Sequence, residues 1–195
     1  MKLFFYGSEF LSQSEYLPVS VQTPEEKGYL REVEAHMLAV INQFGVPGLA
    51  APQLGFNVQM IVIKKSGGSR LTLLNPRIDR MYGNETEYAE SCISFPPGGN
   101  ECCVARMQFI NVVASTLDKP DKERDWQFTS NDARVVQHEI DHLNGTFFFE
   151  RANLVEKAKV LERYHQWKRT FKNGGCGFPF GGNNGRCSSN QEKYS

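Results

Sequence analysis

No stretch of this 195-residue sequence has the roughly 20 apolar residues needed to cross a bilayer. Its first ten residues hold one Lys and a brief apolar patch, with neither an extended apolar region nor a small-residue cleavage site, so no secretory signal is expected. An excess of one charge is also missing. Lys+Arg and Asp+Glu stand at 22 each, which removes the electrostatic reason to expect nucleic acid or an anionic membrane as partner. Cysteine is sparse and odd in number: Cys92, Cys102, Cys103, Cys176 and Cys187. An odd set without a signal peptide argues against a secreted disulfide framework and for a reducing, intracellular compartment, where a thiolate is free to act as ligand or nucleophile. No internal repeat is visible.

What is present suits one domain with its own core. Thr23-Pro24-Glu25-Glu26 reads as a helix start, with a Thr cap, Pro at the first helical position and Glu three residues after the cap. Leu30, Val33, Met37, Val40 or Ile41, and Phe44 then recur at helical spacing until Gly45 and Pro47 stop the run. Val58, Met60 and Val62 alternate as in a strand, and Ser66-Gly67-Gly68 supplies a turn. Strand-like runs follow at Leu71–Leu74, Met107–Ala114 and Trp126–Phe128, with a turn at Asp118-Lys119-Pro120-Asp121 between the last two. A second helix is predicted from Ser130 to Leu143 and a third from Leu154 to Phe171, the latter with a stripe of Leu154, Ala158, Leu161, Tyr164 and Phe171. The order of helix, strands, helix and helix reads as an α+β fold rather than a regularly alternating parallel sheet. Residues 1–172 form a single catalytic domain on this reading. The Gly/Asn/Ser-rich segment 173–195 is expected to be a mobile tail.

Chemistry concentrates in Gln137-His138-Glu139-Ile140-Asp141-His142. Four residues apart on a helix, His138 and His142 project from one face and can grip one cation, while Glu139 can accept a proton from water beside it. Ile140 and Leu143 anchor the helix elsewhere. A hydrolytic metal site needs three protein ligands and an open position. His36 and His165 lie on other predicted helices with no partner pattern and read as surface residues. The third ligand is therefore a carboxylate or a thiolate, and Cys92 in Glu90-Ser91-Cys92-Ile93-Ser94 is the best thiolate candidate. A lone cysteine is otherwise an ordinary small core residue. Cys102 and Cys103 read as strand residues that cannot bridge each other. Cys176 and Cys187, widely spaced with no nearby His, read as part of the tail.

Three segments in order, Gly48-Leu49-Ala50-Ala51-Pro52-Gln53, Glu90-Ser91-Cys92-Ile93-Ser94 and Gln137-His138-Glu139-Ile140-Asp141-His142-Leu143, resemble the signature motifs of the peptide deformylases. Weaker matches at Leu74-Asn75-Pro76, Val104-Ala105-Arg106 and Leu143-Asn144-Gly145 extend the resemblance over roughly Leu30 to Arg151. The resemblance implies Cys92, His138 and His142 as metal ligands and Glu139 as general acid/base. It implies Gln53 and the Ile93 backbone N–H as donors to the developing oxyanion, Gly48 as a close backbone approach to substrate, and an Arg106–Glu90 pair behind the site. It further implies an α+β fold of mixed or antiparallel strands packed around the central His138–His142 helix, with an N-terminal and a C-terminal helix. One divalent ion is implied, usually Fe(II), with zinc, nickel or cobalt able to replace it. The implied substrates are N-formylmethionyl peptides on nascent chains near the ribosome, and the implied setting is the cytoplasm of a bacterium or of a phage host. A monomer with no membrane attachment and no nucleic-acid contact is expected.

Two departures from the family pattern stand out. Val46-Pro47-Gly48 replaces a Gly–hydrophobic–Gly opening, so Pro47 offers no N–H. Ser91 stands where the pattern has Gly, which matters if the backbone there needs positive φ; Ile93 for Leu keeps its N–H. Pro96–Cys103 has no secure register. Two other functions share the central motif: a zinc peptidase, whose third ligand is typically a downstream His or carboxylate, and a catalytically retired binding protein that keeps the fold.

Overall fold

The structure is a computed structural model and describes residues 3–13, 15–96 and 101–172. The segments 97–100 and 173–195, with Cys176, Cys187 and the expected tail, lie outside the described residues.

One five-stranded sheet runs in chain order, antiparallel throughout: β1 (Gly48–Ala50), β2 (Met60–Lys64), β3 (Arg70–Glu90), β4 (Cys102–Thr116) and β5 (Lys119–Thr129). Of the expected mixed or antiparallel arrangements, the antiparallel one is found. The three helices are α1 (Pro24–Phe44), α2 (Ser130–Leu143) and α3 (Leu154–Lys172). Among the described residues no helix is long and apolar enough to cross a membrane.

Helix α1 starts where its cap chemistry directs. The Glu26 N–H donates to Thr23 Oγ1 at 3.1 Å, the Thr23 N–H to a Glu26 carboxylate oxygen at 2.9 Å, and Gly45 closes the helix at φ 67°. Period-two alternation in β2 feeds two cores. Met60 and Val62 pack with Leu30, Val33, Met37, Val40 and Ile41 of α1, whereas Ile61 and Ile63 pack with Ala133, Val135, Val136, Ile140 and Leu143 of α2. The sheet is thus sandwiched between α1 and α2. A third core is aromatic: Phe95, Phe147, Phe148, Phe149 and Tyr164 gather with Cys92, Cys102 and Val160.

Three expectations need correction. The strand expected at Leu71–Leu74 is only the inner end of β3, which continues to Glu90. Beyond Leu74 it pairs with β4 alone, and most of its side chains are exposed, so no apolar alternation marks it in the sequence. The turn expected at Asp118–Asp121 is a two-residue Leu117-Asp118 turn, because Thr116 pairs with Lys119. Pro120 therefore lies in β5, at the sheet edge, where a missing N–H is tolerated. In α3 the buried residues are Val160 and Tyr164, backed by Leu161 and Trp167. Leu154, expected in the stripe, is 85% exposed, and Ala158 is exposed as well. Asn153 accepts the Glu156 N–H at 3.0 Å, so Leu154 and Val155 fall in the first turn, ahead of the contact with the aromatic core. The Phe171 side chain lies outside those described.

Candidate metal centre

Three elements converge on one point. Helix α2 contributes His138 and His142 one turn apart. Cys92 lies two residues past the end of β3, in a turn closed by the Phe95 N–H donating to the Cys92 carbonyl at 3.0 Å and pinned by Phe95 in the aromatic core. Gln53 comes from the 3-10 turn after β1, where its Oε1 accepts the Ala50 N–H at 2.8 Å. The Cys92 sulfur lies 3.2 Å from His142 Nε2, and one ligand atom from each of Cys92, His138 and His142 falls within 4.8 Å of the other two. A sulfur and two imidazole nitrogens at these separations fit the donor set of a borderline-soft divalent ion. Gln53 Nε2 donates to Ser94 Oγ at 3.0 Å and faces the Cys92 sulfur at 3.6 Å.

Behind the histidines runs a buried ionic network. His138 Nδ1 meets Glu90 Oε2 at 3.1 Å. Arg106 chelates Glu90 through Nε at 2.7 Å and Nη2 at 2.9 Å, and its Nη1 donates to Asp141 at 2.8 Å. Arg134 adds a donor to Glu90 Oε1 at 2.6 Å, and Arg151 one to Asp141 at 2.7 Å. Burial works against the Glu90 charge, but the hydrogen bonds from His138 and Arg106 prevail and hold its carboxyl down to about 2. Burial also opposes a charge on His138, yet Cys92 and Glu90 raise its pKa to about 10. Burial with the facing His138 and Arg106 charges drives His142 well below its usual value. Cys92 and Glu90 thus flank His138, the carboxylate on its Nδ1 side and the sulfur in the three-residue group with His142 that could hold an ion.

Glu139 is the exception to this saturation. Its Oε2 is buried without a hydrogen-bond partner among the described residues. Burial raises its pKa to about 7; the charges of His138 and Arg106 only partly offset this. Gly48 gives it room: a Cβ there would fall 2.6 Å from Glu139 Oε1 and 2.9 Å from Val135 Cγ1. A cleft of about 240 Å³ opens onto this group, lined by Pro47, Gly48, Gln53, Ile93, Arg134 and Glu139 among others.

A model of the polypeptide deformylases matches residues 4–158. The chain belongs to that family. It is 36% identical over 143 residues to the peptide deformylase of Dictyoglomus thermophilum, covering 73% of this chain and 88% of that one. It is also 36% identical over 137 residues to the chloroplastic peptide deformylase 1B of Oryza sativa subsp. japonica, covering 68% of this chain. The chain spans about half the length of the chloroplastic relatives it matches. Among solved structures, a Synechococcus elongatus peptide deformylase in complex with actinonin superposes with a TM-score of 0.73 at 32% identity, over 84% of this chain and 85% of that one. Polypeptide deformylases are metalloenzymes, and Cys92, His138 and His142 form a group able to hold the ion.

Gly48, Gln53, Cys92, Ile93, His138 and Glu139, expected at the site, line this cleft, and His142 is buried against the Cys92 sulfur. The Ile93 N–H makes no hydrogen bond to a described residue. His36 and His165 are exposed and remote from the group, as expected. Cys102 is buried and Cys103 exposed, facing opposite ways on β4. Ser91 does not take a positive φ, since Asn75 and Ser130 are the described non-glycine residues that do, so this departure strains nothing. Pro47 precedes an edge strand and contributes its carbonyl, which accepts the Lys64 N–H at 2.7 Å. Sequence reasoning missed Arg134. The available signal was a cation one helical turn before the first ligand, on the same face of α2.

Proposed function

We propose that this chain is a metal-dependent deformylase, removing the formyl group from N-formylmethionyl peptides with release of formate. The observation carrying this reading is the convergence of the Cys92, His138 and His142 donor atoms within 4.8 Å beside the buried Glu139 carboxylate, whose Oε2 has no hydrogen-bond partner among the described residues. A divalent cation, Fe(II) on the resemblance and zinc, nickel or cobalt in its place, would be held by those three residues and would act as a Lewis acid toward water and the formyl carbonyl.

The remaining work falls to the chain. Glu139, with a pKa near neutrality, takes a proton from the attacking water and returns it to the leaving amine. The Ile93 N–H and the Gln53 amide donate to the oxygen that gains charge. Of the two Gln53 N–H contacts, the 3.6 Å approach to Cys92 is the weaker, so that hydrogen is the one a carbonyl oxygen competes for. Gly48 lets the cleft wall come close, and the room it leaves is shared by Glu139 and the substrate. Cys92 lies upstream of the helical motif, which favours this reading over a peptidase with a downstream third ligand. The substrate is a nascent-chain N-terminus met near the ribosome by a monomer in a bacterial or phage-host cytoplasm, without nucleic-acid or membrane contact.

The test is formate release from a formyl-Met peptide after anaerobic loading with Fe(II) or Co(II), alongside amine release from an acetyl-Met peptide. Formate without amine release supports the proposal. Amine release indicates a general amidase, and no turnover by a metal-loaded chain indicates a binding protein.

A further inference from the structure

We infer that Arg134 is a positioning residue of the metal centre: it fixes the Glu90 carboxylate on His138 and ties the long β3–β4 hairpin to the ligand-bearing helix. The inference rests on the reading of Cys92, His138 and His142 as ligands.

Arg134 precedes His138 by one turn of α2, and its side chain is only 11% exposed. Nη1 donates to Glu90 Oε1 at 2.6 Å and to the Val104 carbonyl at 3.0 Å; Nη2 donates to the Thr86 carbonyl and, at 3.3 Å, to Thr86 Oγ1. The guanidinium also sits 5.0 Å from the centre of the Tyr88 ring. Thr86, Tyr88 and Glu90 are two residues apart along β3, and Val104 pairs with Tyr88 across the hairpin. One planar cation therefore reads a single stretch of the hairpin, on the part of β3 that has β4 as its one neighbour.

Its effect on the site follows from donor placement. Glu90 Oε1 receives Arg106 Nε and Arg134 Nη1, while Oε2 receives Arg106 Nη2 and meets His138 Nδ1. Arg106 is shared with Asp141. Without Arg134, Glu90 and Asp141 would share one fully buried guanidinium, with Arg151 half exposed beside Asp141. Glu90 would be held from one side, and the ring it orients would lose its fixed direction. A carboxylate on the outer nitrogen of a ligand imidazole sets that ring's tautomer and aim.

The experiment uses the full chain, stripped of metal and titrated with Co(II), reading thiolate-to-cobalt absorption and the rate of cobalt loss to a chelator well below the melting temperature. Arg134→Met is expected to lose cobalt about tenfold faster or more, with altered absorption. Arg134→Lys is expected to lose it a few-fold faster, since an ammonium keeps the charge but not the fork of donors. A lower melting temperature with wild-type cobalt retention in both variants overturns the inference. Where Arg134→Met does not fold, Arg134→Lys decides: wild-type retention overturns the inference and a few-fold loss supports it. Formate release is followed in parallel. A wild-type chain that holds cobalt but releases no formate ends the deformylase reading and leaves this inference standing; one that takes up no cobalt overturns both.

Discussion

Glu90 and Glu139 are both buried beside His138, yet the protein treats them in opposite ways. Two guanidiniums and an imidazole surround Glu90, and its carboxyl is held down to about 2. Glu139 has one oxygen buried without a partner among the described residues, a glycine opposite it where a side chain would intrude, and a pKa pushed up to about 7. The same functional group is held as an anion in one place and pushed toward a neutral-range pKa in the other, as the proposed proton carrier requires, and environment alone makes the difference. Ligand orientation needs the first kind of carboxylate, and proton transfer at neutral pH needs the second.

The comparison breaks most sharply at Glu139 itself. Glu139→Gln should cut formate release about a hundred- to ten-thousandfold while cobalt stays bound, since the amide fills the same space but carries no proton between partners. A metal-loaded, active variant would contradict the assigned role. On the Glu90 side the expected loss is in folding. Arg106→Met leaves Glu90 and Asp141 short of a buried cation and should cost about 3–5 kcal/mol in urea unfolding. A loss below about 1 kcal/mol would mean that the network is not what holds this region.

The two carboxylates should also pull stability in opposite directions with pH in the metal-free chain. Glu90 is depressed from 4.5 to about 2, so its contribution is present above pH 4.5 and is lost as pH falls through 2. Glu139 is raised from 4.5 to about 7, so its contribution is present below pH 4.5 and is lost as pH rises through 7. Each amounts to about 3 kcal/mol at most. Melting of metal-free Glu139→Gln between pH 4 and 8 should show the variant gaining on the wild type across the upper window; parallel curves would refute the sign. The smallest expected effect is at Gly48. Gly48→Ala places a methyl 2.6 Å from Glu139 Oε1, so overpacking should cost about 1–3 kcal/mol and turnover should fall with metal content unchanged. Unchanged turnover would show that Glu139 has slack.

Much of the site was legible in the chain because its chemistry is local. His138 and His142 share a face wherever a helix forms, and Thr23, Pro24 and Glu26 place a helix start without help from the rest of the fold. The outer half of β3 was not legible: its exposed, charged residues are held by pairing with β4, which no local pattern announces. The stripe of α3 was misplaced for a related reason, since the aromatic core, not the helix, chooses Val160 and Tyr164 over Leu154.

The sequence by itself determined the helical spacing of His138 and His142 and the alternation in β2, because these depend on residue identity and backbone period. Only the tertiary structure decided that Arg134 joins Arg106 on Glu90 and that Gly48 vacates the space Glu139 occupies. Those contacts span tens of residues along the chain, and their strength depends on the exclusion of water, which no segment achieves alone.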